Sequence, residues 1–117
     1  MSPLAARLLP PLMLIASNLF MTVAWYGHLR FKDRPLWAVV LVSWGVAFFE
    51  YWLAVPANRL GSAVYSPAQL KAMQEVITLT VFAGFAALYL GQRITWGVTA
   101  GFALIAAGAF LVFRSAA

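Results

Sequence analysis

The apolar positions of the chain form four long runs, and a short polar break separates each run from the next. A helix needs about 20 mostly apolar residues, at a rise of about 1.5 Å per residue, to cross the hydrocarbon core of a bilayer. The runs predict helices over residues 8–27, 36–56, 67–90 and 94–113. We therefore predict an all-α membrane protein, with residues 1–117 forming one domain of four transmembrane helices joined by short loops.

Proline and polar residues predict where these helices begin and end. Pro10 and Pro11 either start the first helix or kink it, because proline lacks the backbone N–H that a helix interior needs. The polar segment over residues 56–61, which begins with a proline, predicts the end of the second helix. Ser66, followed three residues later by Gln69, is the signature of a capping box and predicts the start of the third.

The composition supports a lipid environment and narrows the chemistry. The 117 residues are 64% hydrophobic and 9% charged, whereas about 25% of an average soluble chain is charged. With no cysteine and a single histidine, His28, we expect no disulfide, metal or cofactor. The eight basic residues are scattered as interfacial charges are, so nucleic acid is not an expected partner. No nucleophile with an adjacent base and no phosphate-binding loop is present, and we expect no enzyme activity.

The basic residues divide evenly between the two faces of the predicted membrane domain. One face has Arg7, Arg59, Lys71 and Arg114, and the other has Arg30, Lys32, Arg34 and Arg93. An excess of Lys and Arg normally marks the cytoplasmic side, so this count gives no orientation. Two interpretations follow: copies insert both ways and pair as an antiparallel homodimer, or other cues set the orientation.

A stripe of small residues in the fourth helix offers a contact surface. Gly97, Gly101 and Gly108 lie along it and begin with a GxxxG motif, which lets helix backbones approach closely. The partner is either a second copy of the chain or another helix of the same subunit. A homodimer would also help to enclose a polar passage, for which four helices are too few.

Two of the three acidic residues, Glu50 and Glu75, lie inside the apolar runs. An ionisable side chain near the bilayer centre costs roughly 2.5–3.5 kcal/mol on insertion scales, and it usually marks a pathway, a relay or an ion pair. Counted from Pro56 and Pro67, the two acids lie about 9 Å and about 12 Å from the face that carries the loop between the second and third helices. We therefore predict neighbouring carboxylates at similar depth, a pair that can exchange a proton for a cation.

A structural role for the same charges is the alternative. Glu75 would pair with Lys71 one turn earlier, and Glu50 with Arg59 or Lys71. Such pairs neutralise buried charge and orient helices, because ionisable residues within membranes commonly pair with one another. The sequence leaves both interpretations open.

Further polar and aromatic residues are predicted to line the same interior. Gln74 shares the polar face of the third helix, and Asn18 lies in the first helix, where an amide also often joins two helices. Tyr51, Trp44 and Tyr26 are candidates to hold an organic cation against their ring faces. Together with the two glutamates, these residues form the predicted site for a proton or a small cationic substrate.

Three segments of the chain resemble a known family: AWYGHL at residues 24–29, FEYWLAVPANR at residues 49–59 and YSPAQLKAMQEVIT at residues 65–78. They resemble the uncharacterised four-helix bacterial family of the drug/metabolite transporter superfamily, and the likeness extends over nearly the whole chain. It implies a drug/metabolite-transporter-like fold, a multi-pass protein of the bacterial inner membrane, a dimer, and a distant relationship to small multidrug resistance exporters. It implies no particular substrate.

One departure from those exporters bears on mechanism. They carry their coupling glutamate in the first helix, where this chain has Asn18 and no acid, so the same work would fall to Glu50 or Glu75. We therefore expect a small transporter or exporter that works as a dimer by alternating access, with buried glutamates binding a proton or a cationic substrate. The alternative is a non-transporting membrane subunit or assembly factor whose buried charges are structural.

Overall fold

The computed structural model of the chain describes residues 2–116 and contains, within them, four α-helices and no strand. The helices are α1 (Pro3–Tyr26), α2 (Leu36–Gly61), α3 (Pro67–Leu88) and α4 (Trp96–Ser115), and a 3₁₀ turn (Gly27–Arg30) follows α1. All four helices are long and apolar enough to cross a bilayer. The prediction of an all-α fold with four membrane-spanning helices is confirmed.

Helix α1 is the centre of the packing. It lies against both α2 and α3, and α4 packs on α3. The described chain measures 48 × 34 × 18 Å, so it forms a slab about 18 Å thick. Within residues 2–116, α1 supplies six buried residues and α4 supplies none. Polar groups on α1 can therefore contact a helix on either side, whereas α4 contacts α3 on one side and leaves its other side uncovered by its own chain.

Helix α1 begins at Pro3, five residues before the predicted start at residue 8. The hydroxyl of Ser2 caps it by accepting a hydrogen bond from the N–H of Ala5 at 3.1 Å. Pro10 and Pro11 therefore lie inside the helix. A cap and an early proline start this helix before its apolar run begins, which is why hydropathy alone places the boundary too late.

The proline pair leaves the carbonyl of Arg7 without its usual helical donor, because Pro11 has no N–H. The phenol of Tyr65, in the loop between α2 and α3, donates to that carbonyl at 3.0 Å. A side chain from another part of the chain thus replaces the missing backbone bond. Such replacement allows proline in a membrane helix, where an unsatisfied carbonyl is costly.

Replacing Tyr65 with Phe is expected to destabilise the fold by about 1 kcal/mol, because it removes the donor to the Arg7 carbonyl and leaves the ring in place. The free energy of unfolding in a mixed-micelle denaturant titration measures the effect. Tyr51→Phe is the matched control, since the Tyr51 side chain is largely exposed on α2. Equal stability of Tyr65→Phe and the wild type would contradict the replacement role of this phenol.

Helix α2 passes through Pro56 and ends at Gly61, five residues beyond the predicted end. One proline removes a single helical hydrogen bond, and membrane helices tolerate that loss. The Asn58 side chain also donates to the carbonyl of Ala54 at 2.9 Å, a bond that spans the proline. Residues 56–61 therefore form the last turns of α2, although their sequence predicts the end of the helix.

Helix α3 begins with the capping box that the sequence predicts. Ser66 accepts from the N–H of Gln69 at 3.2 Å, and the Gln69 side chain accepts from the N–H of Ser66 at 3.0 Å. The helix ends at Leu88, two residues before the predicted end, and Gly91 turns the chain with a φ of 70°, a conformation that favours glycine. Helix α4 starts at Trp96, where Thr95 caps the N–H of Val98 at 3.2 Å.

Candidate functional site

Glu50 lies on α2 at the interface with α1 and is 8% exposed. The hydroxyl of Ser17, buried on α1, donates a hydrogen bond to Oε1 of Glu50 at 3.3 Å. This is the one side-chain hydrogen bond of Glu50 over the part of the chain that the structure describes. A carboxyl group buried between two membrane helices thus has a neutral partner.

Ser17 is a residue that the sequence analysis missed. It precedes Asn18, which is predicted to line the interior, and adjacent helical residues point about 100° apart. Ser17 faces α2, whereas Asn18 faces α3, because α1 lies between these two helices. The sequence signal that could have identified Ser17 is the pair of consecutive polar residues, Ser17 and Asn18, because such a pair predicts polar contacts on two sides of one helix.

The order of the two acids in depth is the reverse of the predicted one, although their depths still differ by only about 4 Å. Because α2 continues to Gly61, Glu50 lies eleven residues from the helix end, or about 16 Å. Glu75 lies eight residues after Pro67, or about 12 Å from the start of α3. The estimate of about 9 Å for Glu50 was wrong because it took Pro56 as the end of the helix, and Glu50 is the deeper acid.

Glu75 has a different partner on its own helix. Its Oε1 lies 2.8 Å from Nζ of Lys71, one turn earlier, with side chains that are 44% and 74% exposed. This is the single ion pair within residues 2–116, so the predicted pairing of Glu50 with Arg59 or Lys71 does not form. The pairing of Glu75 with Lys71 does. The acids therefore differ, Glu50 being buried with a hydroxyl and Glu75 half-exposed with a cation.

Asn18 joins α1 to α3. Its Nδ2 donates to the carbonyl of Leu14 at 2.8 Å, and its Oδ1 accepts from the hydroxyl of Thr78 at 2.6 Å. Both ends of the buried amide are thereby satisfied. In this structure Asn18 makes the interhelical contact that was one of its two predicted roles.

Gln74 makes the corresponding link between α3 and α2, since its Nε2 donates to Oδ1 of Asn58 at 2.8 Å. With the Glu50–Ser17 and Asn18–Thr78 bonds, each pair among α1, α2 and α3 is joined by a side-chain hydrogen bond. No buried side-chain nitrogen or oxygen atom lacks a partner in the described range. Interhelical bonds of this type stabilise membrane helices by about 0.6 kcal/mol each on average.

The three predicted aromatic residues lie on two surfaces. Trp44 and Tyr51, 71% and 66% exposed, line an open groove of about 500 Å³ on α2. Tyr26 instead packs its ring edge against Phe82 of α3, with ring centroids 4.8 Å apart. The groove does not include Glu50, whose carboxyl group faces α1. The structure therefore brings Trp44 and Tyr51 together but separates them from Tyr26 and from the buried acid.

The glycine stripe of α4 makes no close contact with its own chain. A Cβ atom added at Gly101 or Gly108 would meet no atom within 4 Å, and one at Gly97 would meet Thr95 Oγ1 at 3.8 Å. These values belong to the part of the chain that the structure describes. Packing of the stripe against another helix of the same subunit, one of the two predicted partners, is not observed.

A comparison with models of protein families matches residues 10–113, which is most of the chain. The matched family is DMT_6, and its description reads "Putative member of DMT superfamily (DUF486)". Comparisons with curated proteins and with solved structures gave no match. The matched range includes the three side-chain hydrogen bonds that join α1, α2 and α3, and the greater part of every helix.

Proposed function

Because the chain belongs to the family DMT_6, we propose that this multi-pass membrane protein is a small transporter or exporter of the drug/metabolite transporter type. The proposed location is the bacterial inner membrane. Support comes from the family match and from the four apolar helices found in residues 2–116. We infer the class of substrate from the chemistry of the buried site.

The observation that carries the proposal is the carboxyl group of Glu50. It is buried about 16 Å from the end of α2, and its side-chain partner in the described range is the neutral hydroxyl of Ser17. A buried carboxylate without a resident counter-ion is costly, so a proton or a cationic substrate binding there would relieve that cost. We assign Glu50 the coupling role, and Glu75, which already has Lys71, a structural one.

The proposed transport cycle uses a homodimer that exposes Glu50 alternately to each side. Glu50 lies between α1 and α2, so these two helices must separate for a passenger to reach it. A second copy would supply the surfaces that four helices do not enclose, and the uncovered face of α4 is the proposed contact. An antiparallel pair of copies fits the equal numbers of basic residues on the two faces.

A second candidate function rests on a separate observation. The buried polar side chains of residues 2–116 all have partners, as they would in a membrane subunit or assembly factor whose polar groups only align helices. In that case Glu50 and Ser17 would serve helix pairing alone. The two candidates differ in whether any solute moves.

Current measurement on the reconstituted protein tests the proposal. Liposomes containing the full chain, adsorbed on a solid-supported membrane, are expected to give a transient current when an amine or guanidine is applied across a pH gradient. Liposomes without protein serve as the control. If no solute and no pH gradient gives a current from correctly folded protein, the non-transporting candidate replaces the transporter.

A further inference from the structure

A cavity of about 430 Å³ lies at the end of the molecule that carries the loop between α1 and α2. The end of α1, the 3₁₀ turn, the start of α2 and Tyr89 all contribute to its wall. Its volume falls in the range of about 300–1,000 Å³ that is typical of small-molecule sites. Unlike the groove on α2, this cavity is built by several elements, so its shape depends on the fold.

The wall formed by the 3₁₀ turn is tied to the end of α3. Tyr89 donates its phenol hydrogen to the carbonyl of Gly27 at 3.2 Å, and the guanidinium carbon of Arg30 lies 4.6 Å from the centre of the Tyr89 ring. The N–H of Phe31 also bonds the carbonyl of His28 at 2.8 Å, which closes the turn. The cavity is therefore held open by contacts within the chain and needs no ligand to form.

The basic residues that line the cavity lie at its loop end. The part between α1 and α2 is mostly apolar, and its main residues are Val23, Ala38, Val39, Val42 and Val46. His28 and Arg34 line the loop end together with Phe31 and Pro35, and the 3₁₀ turn and the loop after it also carry Arg30, Lys32 and a single acid, Asp33. A ligand that fills the cavity needs an apolar chain inside the membrane and a negative charge at its surface.

We propose that this cavity binds one anionic phospholipid, with its phosphate against Arg34 and one acyl chain along the apolar part. Basic side chains at the membrane edge attract anionic headgroups, and arginine suits phosphate because its planar guanidinium donates two parallel hydrogen bonds. A free phosphate ion would match the basic mouth but would leave the apolar interior empty. The bilayer supplies a ligand with both parts.

Native mass spectrometry of the full chain in neutral detergent tests the site. Phosphatidylglycerol is expected to remain bound at concentrations where phosphatidylcholine does not. Arg34→Gln is expected to weaken phosphatidylglycerol binding about fivefold, the contribution of one basic residue near an anionic surface. Ala38→Phe, which fills the apolar part, is expected to reduce it at least as much. Arg114→Gln, in the last turn of α4, is the matched control and is expected to bind as the wild type does.

Three outcomes would overturn the proposal. Equal retention of the two lipids would show that the headgroup charge is not recognised. An equal loss in Arg34→Gln and Arg114→Gln would show that total charge, and not this cavity, attracts the lipid. Displacement of phosphatidylglycerol by millimolar inorganic phosphate would assign the basic mouth to a free anion. Normal elution of each variant from a size-exclusion column establishes that the chain is folded.

Discussion

Replacing Glu50 with Gln is expected to abolish solute-driven and proton-driven current in reconstituted liposomes, while the purified protein keeps its wild-type elution volume and thermal stability. Glutamine has nearly the same shape and still accepts a hydrogen bond from Ser17, so the contact between α1 and α2 survives. It carries no charge and takes up no proton at ordinary pH. The variant thus removes the coupling chemistry and leaves the packing.

Glu75→Gln is the matched control for this experiment. The side chain of Glu75 is 44% exposed, and its partner Lys71 is more exposed still, so loss of the pair is expected to cost less than about 1 kcal/mol of stability. Most of the current should remain. If Glu75→Gln silences the current and Glu50→Gln does not, the roles assigned to the two acids are reversed.

Measuring both the stability and the current of Glu50→Gln distinguishes a coupling role of Glu50 from a role in helix alignment. A structural role for Glu50 predicts that Glu50→Gln behaves as the wild type, because the amide preserves the bond to Ser17. A coupling role predicts a silent but stable protein. Full current in Glu50→Gln would therefore remove Glu50 from the transport mechanism and leave the helix-pairing function.

Local signals in the sequence predicted the elements of the fold well. The four apolar runs and the capping box of Ser66 and Gln69 depend on residues close together in the chain, and both are present in the structure. The end of α2 was misplaced because a proline that stops a helix in water is tolerated in a helix surrounded by lipid and protein. That single error also displaced the predicted depth of Glu50.

The candidate site was harder to predict, because it depends on which helices are neighbours. The partner of Glu50 is Ser17. Nothing in the sequence distinguishes this serine, and its role follows only from the position of α1 between α2 and α3. Tyr26 and Tyr51 were grouped by residue type, yet they lie on different surfaces. The pair of Lys71 and Glu75, one turn apart on one helix, was predictable since it needs no tertiary information.

Replacing Gly61 with Ala is expected to destabilise the fold, because Gly61, the last residue of α2, lies against side chains of both α1 and α3. A Cβ atom there would lie 2.7 Å from Cδ2 of Leu70 and 3.3 Å from Cβ of Pro10. The leucine methyl group can move only within a buried site, and the proline ring is rigid. Overpacking of this kind costs about 1–3 kcal/mol.

Gly45→Ala, in the same helix, is the matched control for the Gly61 variant. A Cβ atom at Gly45 would meet no atom within 4 Å in the described chain, and alanine favours a helix over glycine by about 0.5–1 kcal/mol. We therefore expect Gly45→Ala to match or exceed the wild-type free energy of unfolding in mixed micelles, and Gly61→Ala to fall below it. Because the same methyl group is added to one helix in both variants, their difference isolates the contact with Leu70 and Pro10. Equal stability of the two variants would mean that α1, α2 and α3 do not meet at Gly61 in the membrane.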